Sequence, residues 1–294
     1  GLKTKTFNMD AFSDECRQAV IDEAKNWGVK FDLIVYSLAS PVRTDPETKV
    51  MYRSVIKPLG KPYGGYAIDM MTEKLTHLEA QPAEGDDIPN TVKVMGGEDW
   101  ERWIKFLSDA GLIAEGCRTV AYSYIGPKYS QPIYREGTIG AAKKDLEARA
   151  KNIDAQLKKI GGAAYVSVNK ALVTRSSSVI PIIMLYLGCL FKVQKKAGTH
   201  EGCKEQIDRL FRERLYTADK TVPVDSEGRI RIDDWELDPA IQAELDEHMS
   251  AINEDNVKEH IDIEGIRKDF LNINGFAVDG VDYDKDITDM TAID

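Results

Sequence analysis

Between Tyr122 and Lys144 the chain sets four tyrosines, Tyr122, Tyr124, Tyr129 and Tyr134, beside three lysines, Lys128, Lys143 and Lys144. A phenol with a cation nearby can protonate an enolate or polarise a carbonyl, because its pKa of about 10 falls when a positive charge is within reach. Tyr134 and Lys143 are nine positions apart. On one unbroken helix they would lie half a turn out of phase and roughly 13 Å apart along the axis, too far to cooperate. The pair can act together only if a helix starts between them. Thr138 is the expected start, with Gly137 as the bend and Gly140 easing the return of the preceding chain. Without that bend, the tyrosines of a strand-to-helix loop are packing residues and the lysines a solvated face.

The elements that must position the pair are alternating strands and helices. Apolar runs at about 31–37, 118–124 and 163–168 fit strands buried on both faces, as in a parallel sheet. A helix is expected from the N-cap Ser13, with Asp14 and Glu15 in its first turn, to Trp27, where Gly28 stops it. A second covers EDWERWIKFLSDAG, where Trp100, Trp103, Ile104 and Leu107 read as core. A third runs from Thr138 to about Lys159, with Ile139, Ala142, Leu146, Ala150, Ile153 and Leu157 on one face. This alternation is that of an α/β, doubly wound parallel sheet. Ligands of such sheets bind outside the carboxyl ends of the strands. The loops SLAS, YSYIG and NKALVT all leave those ends, so three segments converge on one edge.

The other segments read as additions to that sheet, all within one domain spanning 1–294. Residues 2–10 are expected to form a short strand and its loop. Residues 41–97 are rich in Pro, Gly and Asp, and YRSVIKP and EKLTHLEA are read as short strands of a small hairpin, part of a lid-like excursion over the sheet edge. The run VIPIIMLYLGCLFKVQKK is apolar nearly all round for about 13 residues. That is too short for a bilayer core of ~30 Å, so a buried helix is expected. Residues 217–294 form a C-terminal extension: a hairpin-like VPVDSEGRIRID, a helix capped by Asp238 with Pro239 at its first position, and a last helix near 263–271.

A net charge of −10 argues against nucleic-acid binding and requires that an anionic substrate be met by a local basic cluster. Arg43, Arg53, Lys57 and Lys61 are the candidates for its phosphates. Cys16, Cys117, Cys189 and Cys203 form no CxxC pair and the four histidines are dispersed, so neither a disulfide framework nor a metal site is indicated. No signal peptide is legible, and the cytoplasm is the expected compartment.

The stretch YREGTIGAAK, a Tyr-x8-Lys pattern following YSYIGP, resembles the signature of the bacterial, monomeric, NADH-dependent trans-2-enoyl-CoA and enoyl-acyl-carrier-protein reductases. These are relatives of the short-chain dehydrogenases. MDAFSDE, FDLIVYSLASPVRTDP, VKVMGGEDWERWI, SVNKALVTRSSSVIP and RIRIDDWEL resemble the same family, from near residue 8 to the end. The resemblance implies a Rossmann-like sheet and an oxidoreductase that reduces the carbon–carbon double bond of enoyl thioesters with NADH. It implies Tyr134 as proton donor and Lys143 on the nicotinamide ribose, lowering the tyrosine's pKa. Tyr124 would meet the thioester carbonyl. Asp10 and Ala11 would meet the adenine, and Leu38 and Ala39 the adenosine side. Leu172, Val173 and Thr174 would contact the nicotinamide end, the last two through their backbone. The apolar helix from Val179 would wall the acyl pocket. The implied partner is an acyl-CoA or acyl-carrier-protein thioester, with no membrane or nucleic acid.

The family's opening strand, glycine-rich turn and helix, which bind the pyrophosphate, have no counterpart in this sequence. A fragment or processed product is therefore expected. Two other readings stay open: a carbonyl reductase in which the same pair protonates an alkoxide, and a non-catalytic binding module.

Overall fold

The computed structural model describes residues 2–38, 40–70, 72–175, 177 and 181–286. Residues 2–10 form no strand, contrary to expectation. The first element is helix α1 (Asp14–Trp27), closed at both ends by the anticipated residues. Ser13 accepts from the Cys16 N–H, and Gly28 takes the left-handed conformation at φ 66°. Strand β1 (Phe31–Tyr36) follows.

Two antiparallel hairpins come next. β2 (Val42–Thr44) pairs with β3 (Met51–Arg53), and β4 (Tyr63–Ile68) with β5 (Leu75–Ala80). The two strands read from the sequence therefore belong to different hairpins. Their true partners, VRT and YGGYAI, are too short or too glycine-rich to carry a strand signal. Helices α2 (Asp87–Met95) and α3 (Glu98–Asp109) are separated by Gly96 and Gly97. The chain continues through β6 (Ile113–Ser123), the single turn α4 (Gln131–Tyr134), α5 (Thr138–Leu157) and β7 (Ala163–Val168). It closes with α6 (Pro181–Ala197), α7 (Cys203–Leu210), β8 (Ile230–Arg231), α8 (Pro239–Ala251), α9 (Val257–His260) and α10 (Ile263–Asn272).

β1, β6, β7 and β8 make one parallel sheet in that order. The fourth strand comes from the stretch expected to be a hairpin. Ile230 and Ile232 are fully buried on either side of Arg231, so a period of two drives this segment onto the sheet. Alternation along β6 sorts the two faces. Cys117 and Ala121 meet Ile21, Trp100, Ile104, Leu146 and Ile153 from α1, α3 and α5. Val120 meets Leu210, Leu215, Ile230 and Ile232 on the other side. Helices cover both faces, as an all-parallel sheet requires.

A separate cluster packs α6 against α8, α9, α10 and the β4–β5 hairpin. Leu187, Leu190 and Phe191 are fully buried there, so the apolar run is a core helix as expected. Among the described residues, no helix is long and apolar enough to cross a membrane. No group of His, Cys, Asp or Glu among them could hold a metal ion.

Candidate active site

α4 ends at Tyr134 and α5 begins at Thr138, so a helix does start between Tyr134 and Lys143. The join is tight. A Cβ on Gly137 would stand 2.2 Å from the Ile133 carbonyl oxygen, and one on Gly140 2.1 Å from that of Arg135. Glycine is needed at both for close approach, not for an unusual φ. Thr138 ties the join to the 41–97 excursion: its N–H donates to the Lys57 carbonyl at 3.0 Å and its Oγ1 to the Val55 carbonyl at 2.6 Å.

Lys143 stands in the second turn of α5, and its Nζ donates to the Tyr122 carbonyl at 3.1 Å. The Lys143 side chain is half-buried. Desolvation lowers its pKa to about 8, against the opposing pull of Glu147. The expected lowering of the Tyr134 pKa by Lys143 is not what the structure shows. Burial pushes the Tyr134 phenol up, and the negative charge of Glu236 pushes it further.

Tyr124 leaves the end of β6 and stands edge-on to Tyr134, ring centroids 4.9 Å apart. Both pack with Tyr129 against the α6 cluster. Tyr122 points to the other face of the sheet, among the Leu210 cluster, so three of the four tyrosines gather and one does not. Lys128 is held by Asp246 at 2.6 Å, and Lys144 is exposed.

Behind Tyr124 lies Glu236, fully buried in the turn after β8. The Tyr124 and Tyr186 hydroxyls both donate to its Oε1, at 2.9 and 2.6 Å, and the Ala171 N–H donates to Oε2 at 2.6 Å. Burial raises the Glu236 pKa, while these bonds and the charge of Lys170 oppose the rise.

The residues assigned to the cofactor lie near the carboxyl edge. Asp10 and Ala11 lead into α1; the Asp10 carbonyl accepts from Ser13 and the Ala11 carbonyl from Trp103 Nε1 at 3.1 Å. Asp99 binds Arg17 and accepts from the Tyr36 hydroxyl at 3.1 Å, so it joins the starts of α1 and α3 to the carboxyl end of β1. Leu38, two residues past β1, is 39% exposed. Ala39 lies outside the described residues, as do 178–180 at the expected start of the acyl-pocket helix. Leu172, Val173 and Thr174 follow β7. Their loop is tied to itself and its neighbours: Thr174 N–H donates to Ser177 Oγ at 2.8 Å, Ser177 Oγ to the Leu172 carbonyl at 2.8 Å, and Cys203 Sγ to the Val173 carbonyl at 3.5 Å. The Thr174 N–H and Val173 carbonyl are therefore engaged within the chain. Because β1, β6 and β7 run parallel, Leu38, Tyr124 and Leu172 all leave one edge of the sheet.

Two of the four proposed phosphate cations are committed elsewhere. Arg43 is 3% exposed and donates to the Lys93 carbonyl at 2.7 Å, and Lys57 pairs with Asp87 at 2.9 Å. Arg53 and Lys61 remain exposed. Sequence reasoning passed over Glu236, Asp99 and Arg17. Arg17 was findable, being a charged residue on the apolar face of α1 between Cys16 and Ile21. Glu236 was not, since DDWELD reads as a solvated acidic turn.

A family model described as the trans-2-enoyl-CoA reductase catalytic region matches residues 1–216. A second, described as the enoyl reductase FAD binding domain, matches residues 224–287. The trans-2-enoyl-CoA reductase (NADH) of Treponema denticola is 55% identical over 287 residues, covering 98% of this chain and 72% of that protein. The enoyl-acyl-carrier-protein reductase (NADH) of Cytophaga hutchinsonii is 49% identical over 294 residues, covering 100% of this chain and 74% of that one. The crystal structure of the Treponema denticola enzyme in complex with NAD matches with a TM-score of 0.93 at 55% identity, over 98% of this chain and 71% of that one. That of the Clostridium acetobutulicum trans-2-enoyl-CoA reductase in complex with NADH matches at 0.92 and 46% identity, over 96% and 71%.

Proposed function

The chain belongs to the trans-2-enoyl-CoA reductase family, and from that membership we propose how its residues carry out the reaction. It is an oxidoreductase that uses NADH to reduce the carbon–carbon double bond of trans-2-enoyl thioesters. The observation that carries the assignment of residues is the helix start between Tyr134 and Lys143, at the carboxyl edge of a parallel sheet.

The site suits a nicotinamide dinucleotide. Lys143 makes one hydrogen bond and no carboxylate pair among the described residues, which leaves ammonium donors for ribose hydroxyls. Leu38 offers an exposed apolar surface at the end of β1 for the adenosine side. Leu172, Val173 and Thr174 border the nicotinamide end by their position after β7. When bound, NADH supplies the hydride for the β-carbon of the substrate.

Tyr134 then gives its proton as the enolate collapses. A phenol held neutral by burial keeps that proton at any physiological pH. Tyr124 meets the thioester end of the substrate from its place beside Tyr134. The 41–97 excursion acts as a lid, supported by the Thr138 bonds and by the Tyr63 hydroxyl, which donates to the Tyr129 carbonyl at 2.8 Å. The acyl carrier is CoA or carrier protein, and the enzyme works as a cytoplasmic monomer; light scattering on the purified chain checks the last point, and a dimer mass would refute it.

Residues 224–287 do not fit a flavin dinucleotide. Ile241, Leu245, Val257 and Ile266 are consumed in the core against α6. An open groove of about 710 Å³ on α8 is lined by Lys196, Glu244, Glu247, His248 and His260, and its one lysine is already paired with Glu244 at 2.8 Å, a poor match to a diphosphate. No step is assigned to a flavin.

The test is oxidation of NADH dependent on crotonyl-CoA. Tyr134→Phe is expected to lower kcat by about 10²–10⁴, the usual worth of positioned acid catalysis. A rate within about threefold of wild type removes Tyr134 as the proton donor.

A further inference from the structure

Glu236 takes no part in the chemistry above, yet it is fully buried directly behind the tyrosines. A tyrosine hydroxyl has one proton to donate. Those of Tyr124 and Tyr186 both go to one carboxylate oxygen, at 2.9 and 2.6 Å, while the second oxygen is held by the Ala171 N–H at 2.6 Å. Lys170, 2% exposed, is the cation nearby, but its Nζ donates to the Ala171 carbonyl at 3.2 Å. The Tyr134 hydroxyl has no hydrogen-bond partner among the described residues, and its ring stands against the Tyr124 ring at 4.9 Å. One end of Tyr124 is thus pinned while its ring stands against Tyr134.

We propose that Glu236 is a positioning residue of the reduction: by accepting the protons of Tyr124 and Tyr186 it locks the Tyr124 ring and leaves Tyr134 as the phenol whose proton is free for substrate. The three contacts of Glu236 come from three separate parts of the fold, the end of β6, α6 and the loop after β7. The turn after β8 therefore sets the geometry of a site made by other elements. Tyr124 borders the thioester with its ring, and its proton stays with the carboxylate. This inference rests on the reading of Tyr134 and Tyr124 given above.

A double-mutant cycle in the full chain tests it, with crotonyl-CoA and NADH. Glu236→Gln keeps the size of the side chain and is expected to lower kcat about 10- to 100-fold, with KM for NADH within about twofold. In a Tyr124→Phe background the same change should cost less than about threefold, because Glu236 acts through Tyr124. Equal losses in both backgrounds, or no loss in the first, overturn the proposal. If Glu236→Gln does not fold by circular dichroism, Tyr186→Phe serves as the second arm. It removes the other phenol proton from the same oxygen and should lower kcat about 3- to 10-fold in the wild type but less than twofold with Tyr124→Phe; equal effects again overturn it. Wild-type protein that oxidises no NADH with crotonyl-CoA defeats the functional reading instead, whereas an active wild type with additive variants defeats only the role of Glu236.

Discussion

A cation surrounded by protein is stabilised less than in water, and Lys143 shows this in a pKa lowered to about 8. The unfolded chain holds the same proton up to about 10.4. Between those values the unfolded state binds more protons, so the contribution of Lys143 to stability rises with pH across that window; below about pH 8 the buried charge is a full penalty. Lys143→Met should therefore raise the stability of the fold at pH 7 by about 1–3 kcal/mol in urea titrations, with the difference fading toward pH 10. A less stable Met variant at pH 7 contradicts the desolvated ammonium. With the proposed role on the ribose, the same residue should set the alkaline limb of activity. Tyr134 is pushed up and stays protonated, so kcat/KM for NADH should fall above about pH 8 as Lys143 loses its charge. An alkaline limb that first appears above pH 10 would assign the titration to a phenol.

Two glycines let α4 approach α5, and the placement of Tyr134 against α5 depends on them. A Cβ at position 140 would stand 2.1 Å from the Arg135 carbonyl oxygen and 2.7 Å from that of Tyr134. Relief requires moving the backbone that carries Tyr134, the proposed proton donor. Gly140→Ala should lower kcat at least about tenfold, since small misplacements of reacting groups cost up to ~10² in rate. Near-wild-type kcat would mean that the approach of α4 to α5 does not set the chemistry. This join was legible in the sequence, because helix periodicity forbids cooperation over nine positions without a break. So were the three long strands and α6, whose apolar runs leave little choice. β2, β4 and β8 were not legible. Their pairing is decided by tertiary contacts, such as Ile230 and Ile232 against Leu210 and Leu215, while VRT, YGGYAI and RIR carry little local preference. The proposed role of Glu236 was hidden for the same reason, as its partners lie 112, 50 and 65 positions away in the chain.

The molecule as a whole carries a net charge of −10 while its substrates are anionic. The basic residues placed on the excursion for those phosphates are reduced to Arg53 and Lys61, because Arg43 and Lys57 are internally engaged. Two effects then compete. Long-range repulsion by the whole chain acts over a Debye length of about 30 Å at 0.01 M salt and about 8 Å at 0.15 M. Contacts with one or two exposed cations weaken over the same range by a smaller amount, since exposed pairs are worth about 0–1 kcal/mol. With the local cluster this thin, repulsion should win. KM for crotonyl-CoA is expected to fall as ionic strength rises from about 0.01 to 0.15 M, and an acidic carrier-protein thioester should show the steeper fall because it brings more charge to the encounter. A KM for both substrates that rises steeply with salt would instead place a strong basic cluster at the entrance. Arg53→Gln and Lys61→Gln would then have to abolish the rise for these two residues to be its source.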